Sequence, residues 1–170
     1  MEAASSSKTT GSRTMADLLG LAVERDPNLI AVRYKKDGAW HDVTLAEVGE
    51  ITSEIGRGLI ALGVGQGDRV SILCNTRPDW TYADFGITRA GGVVVPIYPT
   101  NSPEECEWVA GNSESVAIFC EDASQVAKIV EVRDNLPNLK HIIVIDPAGD
   151  VADAISVDDL RAKGSEVDPA

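Results

Sequence analysis

The 170 residues carry 15 Lys and Arg against 27 Asp and Glu, a net charge of −12, with 44% hydrophobic residues and a pI near 4.5. This length holds one core and excludes a large multi-domain enzyme unless the chain is a piece of one. Acidity without any basic block excludes binding to nucleic acid or to an anionic membrane surface. The charge is uneven: residues 1–100 hold 12 acids and 10 bases, residues 101–170 hold 15 and 5, which reads as a solvated acidic surface on the second half.

Cys74, Cys106 and Cys120 are odd in number and lack both a CxxC spacing and a nearby histidine cluster. They read as small buried hydrophobes in a reducing, cytoplasmic compartment, and neither a disulfide scaffold nor a zinc site is expected. No apolar run approaches the ~18 residues that span a bilayer, and residues 1–13 lack the apolar centre of a signal peptide. Those thirteen residues read as a disordered tail, with one folded unit over 14–170.

In chain order, Thr14 caps a helix over Met15–Arg25, stopped by Asp26, Pro27 and Asn28. Ile30–Lys36 and Ala39–Val43 flank Asp37-Gly38, a tight hairpin turn in which both central residues need positive φ. His41 falls in the second strand, facing oppositely to Trp40, and reads as a surface residue. Thr44 with Glu47 forms a capping box before a helix whose apolar positions Leu45, Val48, Ile51, Ile55, Leu59 and Leu62 step by three and four, closed by Gly63. The glycines of 63–67 precede the strand Arg69–Cys74 and follow a helix, the reverse of a dinucleotide fingerprint, so they read as a helix stop and a turn.

A turn over Asn75–Pro78 leads to a helix over Asp79–Ala90, then Gly91-Gly92 and the apolar strand Val93–Tyr98. Ser102, Pro103 and Glu105 open another capped helix running to about Gly111. Val116–Cys120 is a strand, Asp122–Asn135 a helix, His141–Ile145 a strand and Ser156–Ala162 a last helix. From Arg69 onward, strands without polar alternation separated by helices predict an α/β fold: a mostly parallel, doubly wound, flavodoxin-like or Rossmann-like sheet with helices on both faces, plus an N-terminal β-hairpin that makes its near edge mixed.

Ligands in such sheets lie at the carboxyl ends of the strands, here Asn75–Arg77, Pro96–Thr100 and Glu121–Asp122. Asn75, Arg77, Tyr98 and Thr100 are therefore the cleft-edge candidates, and the helix start after Thr100 can hold an anion. The competing structural reading has Arg77 paired with an acid, Trp80 packed inside and residues 100–102 capping the helix. There is no GxxxxGK[ST], no GxSxG and no HExxH. No catalytic, cofactor-binding or metal-ligating residue is assigned.

An ordered series runs from Gly56 to Asp122: Leu62-Gly63-Val64 with Gly67-Asp68-Arg69-Val70, then Asn75-x-Arg77-Pro78-Asp79-Trp80, then 91–100 (GGVVVPIYPT), then Ser102-Pro103-Glu104-Glu105. This series resembles the amino-terminal subdomain of adenylate-forming enzymes, and among them is most similar to long-chain fatty acyl-CoA synthetases. Trp40–Thr44 and Leu45–Leu62 resemble the family's entry motif and first long helix. The resemblance implies a two-step ligase in the intact parent: a fatty acid and MgATP give an acyl-adenylate, and coenzyme A then displaces AMP. It also implies that the groups doing this, a Thr/Ser/Gly-rich loop ending in Pro-Lys-Gly, a ribose-binding aspartate and a lysine on a carboxy-terminal domain, lie outside this sequence. Residues 161–170 resemble the stretch shortly before that loop, so the expectation is an N-terminal fragment truncated before its ATP site and inactive alone. Its partners would be the rest of the synthetase chain and the fatty acid, and the parent would be cytoplasmic or peripheral to a membrane. The alternative is a stand-alone, non-catalytic binding or regulatory module. A flavodoxin-like receiver is disfavoured, since Cys74-Asn75-Thr76-Arg77 stands where an acidic cluster would be.

Overall fold

The computed structural model describes residues 10–149, 151 and 153–167. The first nine residues of the expected tail, and the last three of the stretch resembling the approach to the ATP loop, lie outside them. Ser12 and Arg13 are tied to the first helix, the Ser12 hydroxyl and the Arg13 N–H both donating to the Asp17 carboxylate.

Helix α1 (Met15–Arg25) opens on a reciprocal capping box of Thr14 and Asp17. Strands β1 (Ile30–Lys36) and β2 (Ala39–Thr44) form the hairpin, with Asp37 at φ 51° and Gly38 at φ 81° supplying the left-handed turn. Tyr34 pairs with His41 across it and their rings stack at 5.4 Å, while Trp40 on the other face is exposed. Helix α2 (Leu45–Ala61) starts at the Thr44–Glu47 box and ends before Gly63, at φ 87°. Then follow β3 (Arg69–Leu73), α3 (Pro78–Arg89), β4 (Val93–Ile97), α4 (Pro103–Asn112), β5 (Ala117–Asp122), α5 (Ala123–Glu131), a 3₁₀ turn (Arg133–Asn135), β6 (His141–Asp146), β7 (Ile155–Ser156) and α6 (Val157–Ser165).

The sheet order is β4-β3-β5-β6-β7, every pairing parallel. Counted within the sheet this is 2-1-3-4-5, the flavodoxin-like order, whose winding reverses between β3 and β5. The strands lack alternation because both faces are covered. Val70, Ile72, Phe119, Ile143 and Ile145 pack under α1, α2, α3 and α6, whereas Leu73, Ile118, Cys120, Ile142 and Val144 pack under α4 and α5. All three cysteines are buried and unbridged.

Two expectations are corrected. The hairpin does not make the sheet edge mixed; β1 and β2 pair only with each other, and the parallel sheet ends instead at β4, whose outward position 96 is a proline that offers no N–H to a further strand, and at the two-residue β7. The predicted helix 122–135 ends at Glu131 and tightens into the 3₁₀ turn. The two-residue β7 was not foreseen, being too short and too polar for a periodicity signal.

Strand β4 shows how an apolar run can sit at an edge. The Val93 N–H donates to the Asp68 carbonyl, so alternate N–H groups, including those of Val95 and Ile97, turn towards β3. Position 96 faces outward, and there proline has no N–H to leave unpaired, which blunts the free edge.

Glycine sets the approach of α6 to α2. A Cβ on Gly58 would lie 2.3 Å from the Leu160 carbonyl oxygen, and one on Gly164 would lie 1.9 Å from that of Glu54. Arg57 Nε then donates to the Gly164 carbonyl at 2.7 Å, and Arg161 pairs with Glu54.

Candidate functional site

The carboxyl ends of β3, β5 and β6 come together at the winding reversal, where open α/β sheets leave a crevice. Here that crevice is filled by side chains of the protein itself. Asn75 donates to Glu121 Oε2 twice, from its backbone N–H at 2.8 Å and from Nδ2 at 2.7 Å. Arg77 donates from Nε to Asp79 at 2.7 Å, pairs with Asp146, and lies 3.6 Å from Glu121 Oε1. The hydrogen bond to Asp146 and the surrounding carboxylates raise the Arg77 pKa further above its ordinary value.

The four predicted residues do not converge. Asn75, Tyr98 and Thr100 line an open hollow of about 530 Å³ together with Trp80 and Pro96, and no charged residue lines it. Tyr98 is 78% exposed. Arg77 lines a neighbouring hollow with Tyr34, Lys35 and Lys36 of the hairpin; Thr76 borders both. Trp80 packs against the core beneath α3. The start of α4 is occupied by its own residues: Glu105 accepts from the Ser102 N–H, and Glu104 accepts from the Ser102 hydroxyl.

The sequence reading missed three supporting residues. Asp146 ends β6, so the strand-end rule that selected Asn75 applies equally to it. Lys128 and Gln125 on α5 hold the loop bearing Thr100. Lys128 Nζ donates to the Pro99 and Asn101 carbonyls at 2.8 Å each, and Gln125 Nε2 to Pro99 at 3.3 Å. No local pattern signals these contacts, which join residues 26 to 29 positions apart. Burial pushes the Cys74 thiol up to about 12 and also raises Cys106 and Cys120; thiols this hard to ionise are poor nucleophiles. Among the described residues no three His, Cys, Asp or Glu side chains are grouped to hold a metal ion, and no helix is long and apolar enough to cross a membrane.

A fully parallel, helix-covered sheet is the fold that this chain shares with domains of adenylate-forming ligases. The anthranilate CoA ligase AuaEII, solved with anthranoyl-AMP, superposes with a TM-score of 0.78 at 26% identity, over 87% of this chain and 27% of that one. Mycobacterium smegmatis MbtA gives 0.78 at 26% identity, over 91% and 28%. The family model described as AMP-binding enzyme matches residues 21–169, and the chain belongs to that family. Over 145 residues it is 39% identical to the long-chain-fatty-acid–CoA ligase FadD15 of Mycobacterium bovis, covering 85% of this chain and 24% of that protein. It is 28% identical to the long-chain-fatty-acid–CoA ligase ACSBG1 of Rattus norvegicus, over 86% and 20%. The chain thus spans less than a quarter of the length of these relatives, matching their N-terminal part.

Proposed function

We propose that residues 14–170 form part of the N-terminal subdomain of a long-chain fatty acid–CoA ligase, with 1–13 as its leading tail. The match to ligases of that name along nearly the whole chain carries this reading. In the intact enzyme a fatty carboxylate oxygen bonds to the α-phosphorus of MgATP and pyrophosphate leaves. The coenzyme A thiol then loses its proton, its sulfur bonds to the acyl carbon, and AMP leaves.

The residues present here do not hold the nucleotide. The sequence has no Thr/Ser/Gly-rich loop ending in Pro-Lys-Gly, and Arg77, the cation at the switch point, is taken up by Asp79, Glu121 and Asp146. Neither chemical step is therefore assigned to a residue of this chain. Asn75, Arg77, Tyr98 and Thr100 serve as the edge against which the remaining domains close. ATP–pyrophosphate exchange dependent on a long-chain fatty acid tests the reading. Exchange is expected from a chain extended through the Pro-Lys-Gly loop and the carboxy-terminal domain, and none above blank from the 170 residues alone. Exchange by the short chain would overturn the proposal, and a natural stop after Ala170 with a dye-silent, monomeric, cooperatively unfolding product would favour a stand-alone module.

A further inference from the structure

We draw no further inference here: the strongest candidate, the pair of adjoining hollows between the β1–β2 hairpin, the start of α3 and α6, carries nothing, because Asp79, Glu121 and Asp146 already hold Arg77, Glu54 holds Arg161, only surface lysines remain, and nothing in the structure shows what covers the apolar floor.

Discussion

The interiors of the two ends of the parallel sheet are built from different chemistry, the Arg69–Glu114 ion pair of the amino end lying at its solvent-exposed rim. At the amino end, Ser71, Ser113 and Ser115 form a chain of neutral hydroxyls at 2.7 and 2.8 Å, with Ser71 and Ser115 fully buried. His141 Nε2 lies 3.0 Å from the Leu62 carbonyl and ties β6 to the end of α2. At the carboxyl end the same strands finish in Asn75, Glu121 and Asp146 around Arg77, and open hollows flank them. A neutral network can be sealed once every hydroxyl has a partner, whereas ionised groups stay near water because their desolvation is expensive. The sealed end maintains the fold, and the ionic end is where a ligand or the remaining domains can approach.

The largest effect should come from the packing that both ends share. Gly58→Ala places a methyl 2.3 Å from the Leu160 carbonyl oxygen and should destabilise by about 3 kcal/mol, seen as a drop in the denaturant midpoint. An unchanged midpoint would mean that α6 is free to slide on α2. Next, Ser115→Ala leaves the Ser71 hydroxyl buried without its partner and should cost about 2 kcal/mol, independently of salt. Arg77→Ala breaks a network that water still reaches, so about 1 kcal/mol is expected, and adding 1 M salt should shrink the difference. Equal salt responses at Ser115 and Arg77 would erase the distinction between the two ends.

The smallest effect is one of pH. Asp122 caps α5 at the carboxyl end, and hydrogen bonds from Ser124 and Gln125 hold its carboxyl below the usual 3.8. A depressed folded-state pKa contributes stability that is present above the unfolded value and lost as pH falls through the folded one. Normalised amide protection in the first turn of α5 should therefore fall below pH 4, while the serine chain at the amino end holds. Loss of protection at both ends together would show that acid unfolds the whole sheet. Asp84 carries the opposite sign: burial raises its carboxyl and it has no ion-pair or hydrogen-bond partner among the described residues. Its folded-state pKa lies above the unfolded one, so its contribution is lost as pH rises, and Asp84→Asn should raise the melting temperature slightly at pH 7 relative to pH 4.

Most of the fold was legible because its signals are local. Thr44 and Glu47, or Ser102 and Glu105, are three residues apart, and Asp37-Gly38 fixes its turn by its own φ angles. The candidate site was legible only in part. The strand-end rule reached Asn75, Arg77, Tyr98 and Thr100, but it could not tell that Asn75 and Arg77 meet on Glu121 while Arg77 lines a different hollow from the other three, since that depends on where the hairpin lies. Glu121 and Asp146 join Asn75 and Arg77 across 46 and 69 residues; the strand-end rule reaches both acids, but it does not say which strand ends meet.

By itself, then, the sequence determined the periodic elements, their caps, the parallel α/β class and the order of motifs that marks the ligase family. Each of these is a matter of side chains within one or two turns of backbone, or of their order along it. The tertiary structure alone decided that the hairpin stands apart from the sheet, that Pro96 blunts a free edge, and that Arg77 is held by three carboxylates. These follow from which distant segments share space, and that is set by burial of the two apolar faces of one sheet.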